Sequence, residues 1–401
     1  MCKEPPTRVR VTRAATVPDP VRLARYRHAP EIGTRILFFG GGSGLRGVSR
    51  TLIQYTHQSR HIITPFDSGG SSAKLRRAFR MPAVGDLRNR LLALADTSVL
   101  GNAEIYRLFA YRFPDEAEDD ELRGGLDAIV RGTDARVRQI PEPLRSIVRR
   151  HVGFFRDAMP PSFDLRGANI GNLVLAGGYL NQGRKLAPVL YLFSRLVEVR
   201  GVVRPVVDRN LHLVAELANG RTVIGQHEMT GTERSPLESP VRRLYLSRSR
   251  TRAREYRPKI GEAVDELIRS ADLICYPVGS FYTSLIATLL PLGVSDAIAS
   301  TDVPKVYVPN PSHDPEEIEL GLADKVATVQ RYLKDGTTRR VDSDQLLQLV
   351  LLDSRGAAVP KTTIRSIERL GLQVVDVPLV TAESRPYLDD RLLAEALLSL
   401  A

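Results

Sequence analysis

The 401 residues predict a doubly wound, mainly parallel α/β sheet with a small antiparallel hairpin insertion. Three observations carry that expectation. Short apolar runs alternate with stretches of helical spacing along most of the chain. The run Ile36 to Phe39 meets four glycines in five positions, Gly40, Gly41, Gly42 and Gly44. Two apolar-patterned segments, 212–217 and 221–224, flank Asn219-Gly220, a strong hairpin signal.

Taken in order, residues 1–33 are basic and proline-bearing with no clear period, and read as a loosely held arm. Strand, glycine turn, helix and strand follow over 34–66, and the second strand, 61–66, ends at Asp67. Residues 72–96 have helical spacing broken at Pro82 and Gly85, and Asp115 to Glu121 reads as an acidic loop. Helical periodicity returns over 143–158 and 170–197. A helix over 261–270 leads to a strand at 273–276, and another strand, 305–308, follows a helical segment. Beyond 322 helix and strand alternate over 323–333, 363–370, 372–377 and 391–400. The organisation expected is a basic arm (1–33), an α/β domain (34–335) and a C-terminal α/β extension packed on the same domain (336–401), with no joint long enough to prove a boundary.

Hydrophobic residues make up 43% and charged residues 26%, an ordinary globular balance. No apolar run reaches membrane-spanning length and the N-terminus has no hydrophobic signal region, so a cytoplasmic protein without a membrane partner is expected. Cys2 and Cys275 form neither a disulfide framework nor a metal-spacing pattern. The net charge of +11 points to an acidic partner. The arginines are scattered, however, aromatics are 6% and tryptophan is missing, so nucleic acid is not the expected partner. The densest basic patch, Arg242 to Arg254, reads either as a strand and loop lining an anionic pocket or as an exposed face.

Five segments can carry chemistry. Glycines over 40–44 let backbone approach a ligand, and amides at the start of a helix favour an anion, so phosphate is the expected ligand. The spacing lacks the Lys-Ser/Thr of a P-loop and the acidic residue of a dinucleotide site. Taken alone, a glycine turn that binds nothing explains it nearly as well. The second segment runs from Asp67 through Gly69-Gly70-Ser71-Ser72 to Lys74 and Arg76. Asp67, at a strand end, either holds Mg²⁺ with phosphate oxygens or is a turn aspartate. Ser71 and Ser72 can cap the next helix and bond phosphate. In the third, Gly85-Asp86-Leu-Arg88-Asn89, Asp86, Arg88 and Asn89 face a ligand, or Asp86 is an N-cap. In the fourth, Asn169-Ile-Gly-Asn172, helix capping is the stronger reading from spacing alone. The fifth, Gly279-Ser280-Phe-Tyr-Thr283-Ser284, has more hydroxyls than one cap uses. The seven histidines show no metal spacing, and His227 reads as a satisfied loop histidine.

These segments, in this order and with Val306-Tyr-Val-Pro-Asn310, resemble the CofD/YvcK superfamily over roughly residues 34–335. The divergent N-terminus and the C-terminal tail look more like the CofD-like proteins of the bacterial GAK system. The resemblance implies a Rossmann-like sheet with a nucleotide-diphosphate site and a paired-subunit assembly. CofD enzymes transfer a phospholactyl group from a guanosine diphosphate adduct with Mg²⁺, whereas YvcK relatives bind a uridine-diphosphate sugar and regulate. By resemblance, Gly41, Gly42, Ser43 and Gly44 cradle phosphate, Asp67 bears on metal and acceptor, Asn172 contacts nucleotide, and Gly279 and Ser280 join the same pocket. Four positions depart from the pattern. Ser68 replaces a second aspartate, Ala168-Asn169 a His-Ser pair, Ala73 a glycine and Val84 a proline.

The leading expectation is therefore an Mg²⁺-dependent transferase that moves a phosphorylated group from a nucleotide-linked small molecule to a hydroxyl acceptor. Asp67, Arg76 and Arg88 are its candidate catalytic residues. The alternative is a non-catalytic nucleotide-sugar-binding regulator, favoured by the loss of the second aspartate.

Overall fold

The computed structural model describes residues 14–41, 44–98, 102–231 and 235–401. Its strands are β1 (Ile36–Gly40), β2 (Arg60–Ile63), β3 (Val202–Pro205), β4 (His212–Leu217), β5 (Thr222–Ile224), β6 (Val241–Ser247), β7 (Leu273–Tyr276), β8 (Lys305–Tyr307), β9 (Leu349–Leu352) and β10 (Gln373–Asp376). Seven of them form one sheet in the order β10-β9-β8-β7-β1-β2-β3, and every neighbouring pair is parallel.

β1 is buried along its whole length, which is why it reads as an unbroken apolar run rather than an alternating one. Its side chains still alternate between faces. Leu37 and Phe39 join a core shared with β4 and β6, while Ile36 and Phe38 join a second core under the C-terminal helix Asp390–Leu400. β1 pairs with β2 on one side and β7 on the other. The chain thus winds outward from β1 in both directions. The crevice outside the carboxyl ends of β1 and β7 is the topological switch point, where open α/β sheets bind ligands.

Between β2 and β3 the chain builds a helical layer with its own core, from Gly70–Phe79 to Leu186–Leu196. Helices Gly70–Phe79 and Gly85–Ala93 flank the break anticipated at Pro82 and Gly85. The anticipated acidic loop is instead partly helical. Asp119, Asp120 and Glu121 form the first turn of Asp119–Arg131, where carboxylates complement the helix dipole.

The anticipated hairpin is β4–β5, with a third strand, β6, added antiparallel to β4. The basic patch lies on β6 and the loop after it: Arg242 and Arg243 are exposed, and Arg243 pairs with Glu255. β9 and β10 extend the main sheet, so the C-terminal segment shares its core with the rest of the chain.

Residues 1–13 lie outside the described residues, but the remainder of the arm is not loose. Asp19 caps helix Pro20–His28, its backbone amide donates to Ser399 Oγ at 2.8 Å, and Leu23 is buried in the core beneath the C-terminal helix. An apolar residue and a cap, too few for a visible period, suffice because a partner helix supplies the other face.

Candidate ligand cleft at the switch point

Two adjoining recesses open at the carboxyl edge of the sheet. The smaller, about 240 Å³, is lined by Asp67, Ser71, Ser72, Asp86, Arg88, Asn89, Asn172 and three residues not assigned to it from sequence, Arg112, Gln226 and His227. The larger, about 790 Å³, lies between Gly44, Gly279, Ser280 and Asn310 on one side and the C-terminal segment around Asp389 and Asp390 on the other. Gly41 lies against the smaller recess: a Cβ placed on it would lie 2.8 Å from Asp86 Oδ2 and 3.3 Å from Ser284 Oγ. The fold therefore brings Asp67, Ser71, Ser72, Asp86, Arg88, Asn89 and Asn172 to one wall, and Gly44, Gly279 and Ser280 to another. Gly42 and Ser43 lie outside the described residues.

Asp67 follows β2. Its Oδ1 accepts from the Gly69 amide at 2.9 Å, which fixes the carboxylate ahead of helix Gly70–Phe79. Asn169 is the N-cap of helix Ile170–Asn181, accepting from the Asn172 amide at 3.0 Å and donating to the carbonyls of Ala110 and Tyr111. Capping thus falls to Asn169 and leaves the Asn172 side chain for the cleft. Asn172 Nδ2 donates to Ser71 Oγ at 2.9 Å, and its buried Oδ1 has no partner among the described residues.

Arg88 is the second unsatisfied group. It is 8% exposed, and its buried Nε has no partner among the described residues. Burial pulls its pKa down to about 10, with like-charge repulsion from Arg112 adding to the effect. It remains a cation at neutral pH. A buried cation with an unused donor at the wall of a cleft is built to meet an anion.

Two expected site residues are committed elsewhere. Arg76 does not face phosphate. Its Nη1 donates to the carbonyls of Phe66 and Asp67 at 2.9 and 2.8 Å. Its Nε and Nη2 donate to Asn210 Oδ1, and Nη2 also donates to the Leu211 carbonyl. It holds the Asp67 loop in place. Thr283 is buried, and both its amide (2.8 Å) and its hydroxyl donate to Glu316, while the Phe281 amide donates to Asp314 Oδ2 at 2.8 Å. Internal carboxylates therefore occupy the amides and hydroxyl expected to meet a phosphate. Asn310 completes this loop by bonding both the amide and the carbonyl of Gly279, at 3.0 and 2.7 Å.

Arg90 was not singled out from sequence. Fully buried, it ties helix Gly85–Ala93 to the glycine loop through the Leu45 carbonyl (3.0 Å) and Ser49 Oγ (2.5 Å). Its only sequence signal is its place one turn beyond Asp86. Arg112 had no signal: it enters the cleft through an isolated bridge to Asn169.

No helix among the described residues is long and apolar enough to cross a membrane. The chain is similar to a protein named gluconeogenesis factor in Bacillus subtilis, at 27% identity over 86% of this chain and 91% of that one. It is also similar to one of the same name in Listeria monocytogenes, at 26% identity over 88% and 91%. A longer Deinococcus radiodurans relative is 28% identical over 75% of this chain, which spans only 51% of that protein. The crystal structure of a UPF0052-family protein from Bacillus halodurans shares the fold, with a TM-score of 0.64 at 23% identity over 91% of this chain and 99% of that one. The family described as 2-phospho-L-lactate transferase CofD matches residues 36–384, and the chain belongs to that family.

Proposed function

We propose that the cleft binds the diphosphate of a nucleotide-linked donor and that the protein transfers a phosphorylated group from it to a hydroxyl acceptor, with Mg²⁺. The observation that carries this reading is the pair of buried, unpaired groups on one wall, Arg88 Nε and Asn172 Oδ1. A ligand that accepts a charge-assisted hydrogen bond and also donates one satisfies both. A phosphate carried on a sugar or base has that character.

The donor set suits a hard cation. Asp67 and Asp86 offer carboxylate oxygens, with serine and amide oxygens around them. No group of three acidic, histidine or cysteine side chains is placed to hold a metal ion among the described residues, so a cation here needs phosphate oxygens to complete its shell. Mg²⁺ held this way supplies neutralisation of charge on the transferring group. The protein's own part is positioning: Asp67 orients the acceptor, Arg88 meets the phosphate, and Arg76 fixes the Asp67 loop.

A thermal-shift screen with GDP, UDP, UDP-N-acetylglucosamine and ATP, with and without Mg²⁺, tests the reading. Stabilisation by one diphosphate, enhanced by Mg²⁺, and donor turnover lost in Asp67→Ala support it. No shift with any of the four overturns it. Ser68, standing where the resemblance implies a second aspartate, supports a second reading, a non-catalytic nucleotide-sugar-binding regulator. That reading predicts a shift with the sugar nucleotide that survives chelation and no turnover.

A further inference from the structure

Ser68, just beyond Asp67, is held by partners distant in the chain. Ser68 Oγ lies 2.7 Å from His227 Nδ1, although the two residues are 159 positions apart. The His227 amide donates to the same Oγ at 3.2 Å. On the far side of the ring, Nε2 lies 3.2 Å from Glu228 Oε1. A carboxylate that close favours the proton on Nε2, and in that tautomer Nδ1 is an acceptor. With the backbone amide already donating to Oγ, the serine proton points at Nδ1. A base thus stands within hydrogen-bond reach of the hydroxyl, with a carboxylate beside its far nitrogen, a grouping that can activate a serine nucleophile.

The surroundings match. Ser68 and His227 line a cavity of about 340 Å³ together with Arg77 and Arg250, and His227 also lines the recess that holds Arg88 and Asn172. Gly225, at φ +111°, makes room for the ring: a Cβ there would lie 2.7 Å from His227 Cε1 and 3.3 Å from Ser68 Oγ. Cationic walls favour a phosphorus electrophile over a neutral ester.

We propose that Ser68 is a nucleophile activated by His227, taking the phosphorus-centred group of the donor in a covalent step; the donor's identity rests on the transferase reading above. Ser68 Oγ bonds to phosphorus while the bond from that phosphorus to the nucleotide's bridging oxygen breaks. The electron pair leaves with the nucleoside monophosphate. The serine proton passes to Nδ1 and from there to the departing phosphate oxygen. In the second half the acceptor hydroxyl attacks phosphorus, its proton moves to Nδ1, and Nδ1 returns a proton to the departing Ser68 Oγ.

Diisopropyl fluorophosphate tests the nucleophile without any nucleotide. The full chain is incubated with the reagent and followed by intact mass and peptide mapping, with fluoride as leaving group. One adduct per chain, on Ser68, is expected, with none in Ser68→Ala. Loss of the base in His227→Ala slows labelling about 100-fold. Glu228→Gln keeps the ring, lies on a half-exposed turn and slows labelling about tenfold, so the inference stays testable if the histidine variant fails to fold. No adduct, an adduct on another residue, or equal labelling rates in the wild type and Glu228→Gln overturns it. Failure here with nucleotide stabilisation intact removes only the covalent step. Labelling without any nucleotide shift keeps the nucleophile and removes the donor reading.

Discussion

Asn172 donates through Nδ2 to Ser71 Oγ at 2.9 Å, across 101 residues of chain, while its buried Oδ1 meets nothing among the described residues. One end of the amide braces the start of helix Gly70–Phe79 and the other is left for something the protein does not supply. Replacing Asn172 by alanine removes both roles. The Ser71 contact is worth about 1 kcal/mol of stability. A nucleotide that uses Oδ1 loses about tenfold in affinity, since the lost bond is of the same order. Melting temperature and a binding titration on the same variant separate the two effects.

Arg88 makes the opposite trade. In the unliganded protein its buried charge is a cost, because Nε is unpaired and Arg112 repels it. Arg88→Met keeps the length and removes the charge, so the free protein becomes more stable by about 1 kcal/mol. Affinity for a diphosphate falls, by about 30-fold if one charge-assisted bond of about 2 kcal/mol is lost. A variant that melts higher without ligand yet shifts less with it marks a binding residue. A structural arginine would give a lower melting temperature.

Arg76 belongs to that structural class. Its donors meet the Phe66, Asp67 and Leu211 carbonyls and Asn210 Oδ1, and it is almost completely buried. Arg76→Ala strands those acceptors and costs about 3 kcal/mol of stability. Arg76→Lys recovers little, because an ammonium cannot span acceptors laid out for a planar fork. Denaturant unfolding of both variants reads this directly.

The contrast between Arg76 and Arg88 shows where sequence reasoning stops. Both are buried arginines on a short helix behind a glycine turn, Arg76 near its end and Arg88 near its start, and neither position says what its donors meet. What separates them is who takes their donors, and those partners lie far away: Asn210 is 134 positions from Arg76. The glycine turn after β1 and the β4–β5 hairpin were legible because each signal is local, an apolar run into glycines and an Asn-Gly pair. β9 was not, because the apolar run around 346–352 fits either period until β8 and β10 flank it. The wall built from Asp67, Ser71, Asp86, Arg88 and Asn172 was legible as motifs. The Ser68–His227 contact was not, since nothing near His227 announces a partner 159 residues away.

Glu316 gives the fold a pH dependence. Burial, with the nearby Asp314 charge, pushes its pKa from 4.5 up to about 7, despite the Tyr282 and Thr283 donors that oppose the rise. An acid whose folded pKa is raised binds more protons folded than unfolded between the two values, so stability falls as pH rises from about 4.5 to about 7. Glu316→Gln keeps an acceptor for the two amides and cannot ionise. Its melting temperature is expected to lose the part of the decline over that window that the wild type owes to Glu316. Parallel profiles for the two proteins would refute the assignment.

The C-terminal helix is locked to the glycine loop's helix by one tight contact. A Cβ built on Gly47 would overlap the Asp390 carboxylate, so helix Arg46–Leu52 and helix Asp390–Leu400 approach as closely as they do only because position 47 has no side chain. Gly47→Ala would ordinarily stabilise a helix by about 1 kcal/mol. Here it must displace Asp390, and with it the wall of the larger recess that Asp389 and Asp390 form opposite Gly44 and Gly279. The expected result is a net loss of about 1–3 kcal/mol, the usual range for overpacking. Asp390→Ala removes the obstructing carboxylate, so in the double variant the Gly47→Ala penalty shrinks or reverses. A double-mutant cycle reads this as a coupling energy of 0.5 kcal/mol or more, about the least that contacting residues show. Additive effects would mean that the two helices adjust independently and that the C-terminal segment does not set the width of the cleft.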